Sequence, residues 1–214
     1  MTQTYFVVGT DTGVGKTLIA SALIKHFISC GSKTVGMKPV ASGCDEVDGH
    51  LINDDVTALT QASNVVAPLA LVNPYRFTPA IAPHIAAKQA GVTIDIQVIL
   101  AAYQQLSASA DVVIVEGAGG FLVPLNQNET LADLAIRLDV PLILVVGMRL
   151  GCINHTLLTV EAIRARGLQL AGWVANQIDP DMAMFEENLE TLQQLIDAPC
   201  LSVVRYQQAP LVNI

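Results

Sequence analysis

Apolar positions along the chain fall into two alternating patterns. Short runs that are apolar at nearly every position occur at Tyr5–Val8, Thr34–Met37, Val112–Val115, Leu142–Val146 and Leu170–Ala175, with Leu201–Val204 a weaker sixth. Such runs suit strands buried on both faces. Between them, segments with helical spacing predict helices near Lys16–Cys30, Asp54–Ala62, Ile94–Ser107, Leu131–Leu138, Asn154–Arg166 and Met182–Ile196. This alternation predicts the α/β class, a mainly parallel sheet with helices on both faces. The stretch Ala67–Gly91 contains Pro68, Pro74, Pro79 and Pro83 and no clean period, so it reads as an extended excursion rather than a second domain. With no repeat or low-complexity linker, residues 1–214 are expected to form one domain.

In an open parallel sheet, ligands bind beyond the carboxyl ends of the strands. Gly9–Thr17, Lys38–Gly43, Glu116–Gly120, Gly147–Asn154 and Asn176–Gln177 each follow a predicted strand, which places all five on one rim.

Gly9-Thr10-Asp11-Thr12-Gly13-Val14-Gly15-Lys16-Thr17 lies between a strand and a helix, the setting a phosphate-binding loop requires. Backbone N–H groups of Gly13, Val14 and Gly15 can turn toward phosphate oxygens, and the helix dipole reinforces them. Lys16 would reach the β- and γ-phosphates of ATP, and Thr17 would offer its hydroxyl to Mg²⁺. The strict pattern wants glycine where Thr10 stands. Glu116 ends a buried strand, followed by Gly117-Ala118-Gly119-Gly120, where a metal-holding carboxylate belongs. Asn53-Asp54-Asp55 precedes a helix; one acid can cap it while the other faces the metal, and spacing does not choose between them. Lys38 is followed by proline and a small polar turn through Ser42, a rigid way to project a second cation and a hydroxyl toward the phosphates.

Charge and composition remove several alternatives. A net charge of −8 argues against gripping nucleic acid or an anionic membrane. No apolar run approaches the roughly 20 residues of a membrane span, and Met1–Thr10 lacks the pattern of a signal peptide. Cys30, Cys44, Cys152 and Cys200 form no C-x-x-C pair, so free thiols in a reducing cytoplasm are expected.

Together Gly9–Thr17, Lys38–Gly43, Glu116–Gly120, Val145–His155 and Ala171–Gln177 resemble the dethiobiotin synthetase family, in order and through most of the chain. The resemblance implies a P-loop fold and a ligase that closes a ureido ring on 7,8-diaminopelargonic acid with CO₂, ATP and Mg²⁺. It implies that Lys38 and Lys16 are catalytic, that Thr12 and Ser42 bind substrate, and that Thr17, Asp55 and Glu116 organise the metal. ATP would also meet Gly117, Ala118 and Gly119, with Asn176 and Gln177 near the base. A homodimer is implied, in which Gly151, Cys152, Ile153 and Asn154 receive the substrate's carboxylate across the interface. His155 more often packs than catalyses in such a position. After Asn176 the match weakens, and Ser202–Tyr206 replaces the family's Gly-x-x-Pro turn. Partitioning and septum-positioning ATPases resemble Lys-Gly-Gly-x-Gly-Lys-Thr, whereas this chain has Asp11-Thr12-Gly13, which reverses the charge. Another ATP-dependent amide-forming ligase is the remaining alternative.

Overall fold

All six apolar runs become strands of one sheet in the computed structural model, which describes residues 2–211. In chain order the elements are β1 (Gln3–Gly9), α1 (Lys16–Ser29), β2 (Thr34–Met37), β3 (Val40–Ser42), β4 (Asp45–Val47), β5 (His50–Ile52), α2 (Asp54–Ala62), α3 (Leu69–Val72), β6 (Tyr75–Phe77), α4 (Pro83–Gln89), α5 (Ile96–Ser107), β7 (Val112–Glu116), α6 (Leu131–Leu138), β8 (Leu142–Met148), α7 (Cys152–Arg164), β9 (Leu170–Gln177), α8 (Phe185–Leu195) and β10 (Cys200–Val204). The main sheet runs β10-β9-β8-β1-β7-β2, with every neighbouring pair parallel.

Strand alternation sends successive side chains to opposite faces, and both faces are covered. From β1, Phe6 and Val8 join Val113, Val115, Leu144 and Trp173 in one core layer. Tyr5 and Val7 join Ile114, Ile143, Val145 and Val174 in the other, under Ile19, Leu23 and Ile24 of α1. Burying each aliphatic side chain is worth about 1.5–3 kcal/mol, so the two layers hold β1 between its neighbours. The loop that leaves β1 therefore starts from the centre of the molecule.

Helix starts follow local chemistry. Asp95 accepts from the Gln97 N–H at 2.8 Å, which moves the start of α5 to Ile96. A reciprocal Thr130–Asp133 capping box opens α6. Gly151, at φ 92°, opens α7 earlier than the polar Asn154 suggests.

The segment Ala67–Gly91 departs from the sequence expectation of an extended excursion. It forms α3, β6 and α4, and β6 pairs in parallel with β3. Pro68 stands at the N-cap of α3 and Pro83 at the start of α4, so prolines that read as breakers act as helix starters. Each helix is too short to impose a period.

Candidate active site

The loop from Gly9 to Lys16 joins β1 to α1 at the middle of the rim. Gly15 adopts φ 92°, and a Cβ there would lie 2.2 Å from Asn176 Nδ2, so the loop needs glycine at this point. Asn176, at the rim end of β9, donates from that nitrogen to the Val14 carbonyl at 2.8 Å. Its Oδ1 has no hydrogen bond among the described residues. Lys16 is buried and donates from Nζ to the Asp11 carbonyl at 2.8 Å. Burial, and next the charge of Lys38, lower its pKa from 10.5 to about 8 against the pull of Glu116, Asp55 and Asp11.

Three elements bring the remaining charged groups together. Lys38 leaves β2, Asp55 lies in the first turn of α2, and Glu116 ends β7. Lys38 Nζ stands 2.7 Å from Asp55 Oδ2, 2.5 Å from Glu116 Oε1 and 3.3 Å from the Gly117 carbonyl. Thr17 Oγ1 lies 2.7 Å from Asp55 Oδ1 and 2.8 Å from Glu116 Oε1. Burial pulls the Lys38 pKa down, but Glu116 and Asp55 outweigh it and hold the ammonium above its ordinary pKa. Burial also raises the Asp55 carboxyl, yet the Lys38 charge prevails and its pKa stays below the usual carboxylate value. Glu116 is pulled upward by burial against the same attraction. With an ammonium and a hydroxyl both on Oε1, the ion pair is the arrangement the geometry supports.

The acids near Asn53 resolve differently from the sequence expectation. Asn53 is the cap, accepting from the N–H groups of Asp55 at 3.1 Å and Val56 at 3.3 Å, while Asp54 is exposed. Neither acid is needed to cap, which leaves Asp55 free to face the site.

Ser42 Oγ is buried without a partner, and Thr12 Oγ1 lies 3.5 Å from where a Cβ on Gly119 would stand. Gly117 donates to the Val7 carbonyl at 2.9 Å, which docks the Gly117-Ala118-Gly119 turn against β1. Gln177 donates to the Asp179 carbonyl and accepts from the Tyr206 N–H at 3.4 Å, so the divergent C-terminal segment meets the rim here. At the start of α7 the Cys152 N–H is engaged by the Arg149 carbonyl at 3.0 Å, contrary to its expected role as an open donor. The N–H groups of Ile153 and Asn154 have no backbone partner among the described residues. No hydrogen bond joins Gly151–Asn154 to Lys38, Ser42 or Thr12 within the described chain. His155 lines a cavity of about 510 Å³ with Asp11, Gly120 and Leu158.

Two residues here gave no functional signal in the sequence. Asn73 is fully buried and donates from Nδ2 to the carbonyls of Lys38 at 2.5 Å and Tyr75 at 3.0 Å, fixing the backbone beside the second lysine. Its only hint was the Asn-Pro step that begins a turn. Arg149 pairs with Asp11 at 2.7 Å, both side chains being more than two-fifths exposed at 43% and 44%, so the pair is worth about 0–1 kcal/mol.

A family model described as an AAA domain matches residues 3–210. Over 208 residues the chain is 53% identical to the ATP-dependent dethiobiotin synthetase BioD of Nitrosospira multiformis, covering 97% of this chain and 90% of the relative. The chain belongs to the dethiobiotin synthetase family. The protein of that name from Aromatoleum aromaticum is 54% identical over 202 residues, covering 94% of this chain and 90% of the relative. Among solved structures, the septum site-determining protein MinD complexed with Mg-ADP from Pyrococcus horikoshii matches with a TM-score of 0.59 at 17% identity, covering 96% of this chain and 82% of that one. The signal recognition particle receptor FtsY from Elizabethkingia anophelis gives 0.55 at 17% identity, covering 100% and 63%. These neighbours share the P-loop fold with this dethiobiotin synthetase family member.

Proposed function

We propose that the chain closes the ureido ring of dethiobiotin from 7,8-diaminopelargonic acid, CO₂ and ATP. The observation that carries this reading is the cluster of Lys38, Thr17, Asp55 and Glu116 beside Lys16, in a chain of the dethiobiotin synthetase family. A diamine nitrogen adds to CO₂ and loses a proton, giving a carbamate. A carbamate oxygen takes the γ-phosphoryl group and ADP leaves. The second amine then attacks the carbonyl carbon and gives up a proton as the C–O bond to phosphate breaks and phosphate departs, and the ring forms between groups held together, which removes much of the entropic barrier.

Each residue has a task in that sequence. The N–H groups of Gly13, Val14 and Gly15 face the phosphates, and Lys16 swings from the Asp11 carbonyl to neutralise them. Lys38 stabilises the carbamate and the charge that develops on phosphorylation. Ser42, whose buried hydroxyl lacks a partner, and Thr12 bind substrate. Gly117, Ala118 and Gly119 wall the nucleotide, while Asn176 Oδ1 accepts from the adenine amine with Gln177 beside it.

Thr17, Asp55 and Glu116 form a set of hard oxygen donors that fits Mg²⁺, and Glu116 Oε2 is buried without a partner. Such a site commonly uses one or two carboxylates with substrate phosphates, and no protein-only cage of three His, Cys, Asp or Glu residues occurs among the described residues. Held by these oxygens, Mg²⁺ would supply positive charge against the phosphates of ATP during transfer.

The ring-closing reading predicts phosphate release from ATP, Mg²⁺ and bicarbonate that depends on the diamine, with dethiobiotin found by mass analysis. ATP binding without diamine-dependent release would sink it, and turnover with ammonia or glutamine would favour a different amide-forming ligase.

A homodimer is part of the same reading. Leu122 and Leu158 are about half exposed around the cavity beside Asp11, an apolar rim next to the phosphate loop. The Ile153 and Asn154 N–H groups of a second copy, with Gly151 and Cys152 shaping the turn, would take the substrate carboxylate at the positive end of α7. Mixing Lys38→Ala chains with Asn154→Asp chains 1:1, each weakly active alone, is expected to restore about a quarter of the unaltered protein's activity after subunit exchange, because about half of the dimers are mixed and each of those has one intact site of its two. No recovery after verified exchange would count against a shared site.

One domain is the economical organisation, because β9 and β10 complete the sheet that β1 centres. No helix among the described residues is long and apolar enough to cross a membrane. The four free cysteines suit a reducing cytoplasm, and the acidic balance suits small-molecule partners instead of nucleic acid.

A further inference from the structure

An ammonium has three N–H donors, and Lys38 spends all three inside the protein. They reach Asp55 Oδ2, Glu116 Oε1 and the Gly117 carbonyl, with the side chain only 5% exposed. In this arrangement Lys38 has no donor left for a carbamate. Asp55 and Glu116 are the same carboxylates that the metal-binding reading assigns to Mg²⁺. One pair of acids therefore has two cationic claimants.

Both claimants cannot keep the full set of contacts. A divalent ion on the Thr17, Asp55 and Glu116 oxygens would satisfy the carboxylates and repel an ammonium held against them. Lys38 is anchored through its backbone, its N–H on the Val72 carbonyl at 2.8 Å and its carbonyl on Asn73 Nδ2 at 2.5 Å. Only the flexible stem and head are free to move. Ser42 lies on β3, a few residues further along the same turn, with its buried hydroxyl unpartnered.

We propose that Lys38 is the resident counter-cation of Asp55 and Glu116, and that the divalent ion arriving with ATP displaces it toward the carbamate. The lysine then serves substrate only in a site loaded for phosphoryl transfer, which binds metal and carbamate cooperatively. This rests on the ring-closing reading for the identity of the carbamate; the displacement itself does not.

Mn²⁺ provides the probe. Free Mn²⁺ is followed by electron paramagnetic resonance as it is titrated into the nucleotide-free full chain, for wild type, Lys38→Met, Lys38→Arg and the double variant Lys38→Met/Glu116→Gln. Circular dichroism first verifies that each is folded. Lys38→Met should bind Mn²⁺ roughly tenfold tighter than wild type, within the usual range of coupling between sites, while Lys38→Arg stays close to wild type. The gain should vanish in the double variant. Equal or weaker binding by Lys38→Met, or a gain that survives loss of Glu116, overturns the proposal.

The handover is read separately. With bicarbonate present, the diamine should bind wild type about tenfold tighter after Mg²⁺ and a non-hydrolysable ATP analogue are added, and this gain should disappear in Lys38→Met. A gain that persists in Lys38→Met overturns the handover. Absence of diamine binding under every condition, with the Mn²⁺ pattern intact, would defeat the ring-closing reading and leave the displacement standing.

Discussion

Lys16→Ala is expected to lower the diamine-dependent rate of phosphate release by about 10³-fold, the scale of removing a cation that stabilises phosphoryl transfer. The Lys16 stem lies along the loop, since a Cβ on Gly9 would meet its Cγ and Cδ at 3.1 Å, and its head rests on the Asp11 carbonyl. Alanine keeps the helix start and removes the charge together with its buried stem. Steady-state rates alongside ATP affinity check the effect; a loss of less than tenfold would remove Lys16 from the transition state.

The protonation of Lys16 gives the same assignment an independent readout. Its pKa of about 8 means that near pH 8 half of the free sites hold a neutral amine. Phosphates favour the charged form, so ATP binding should raise that pKa and take up about half a proton at pH 8, and almost none at pH 6.5. Titration calorimetry in buffers of different ionisation heat measures this uptake. Lys16→Ala should abolish it.

Lys38→Ala should have a comparable effect on turnover, about 10²–10³-fold, while ATP affinity changes only a few-fold. Its contacts are with the acids and not with the phosphate loop, which separates it from Lys16. The variant also leaves Glu116, 1% exposed, without its cation. Breaking a buried pair by removing one partner costs about 3–5 kcal/mol, and a chain of this size loses roughly 2–4 °C in Tm per kcal/mol. The loss should be largest where Glu116 is ionised and shrink as falling pH protonates it. Melting curves across pH test that sign, and near-normal turnover would end the catalytic assignment.

The six sheet strands were legible as continuous apolar runs, and the long helices because each is long enough to show a period. Short elements were not. The β4–β5 hairpin is only three residues on each side, although Asp48-Gly49, at φ 50° and 75°, is the two-residue turn that such hairpins favour. Motif spacing brought Thr17, Lys38, Asp55 and Glu116 to one rim. It could not reveal that Lys38 saturates its donors, because those acceptors come from positions 17, 78 and 79 residues away. The engagement of the Cys152 N–H was hidden for a local reason: the chain turns at Arg149 before the helix starts, and that turn uses the N–H.

The bond from Asn176 to the Val14 carbonyl spans 162 residues, linking the phosphate loop to the penultimate strand of the chain. At about 5–20 residues per second, the ribosome makes those intervening residues in roughly 8–30 s. During that interval the emerging loop lacks the side chain that braces it. The nascent chain should therefore acquire nucleotide late and in one step, so ATP acts as a ligand of the finished sheet and not as an early folding aid.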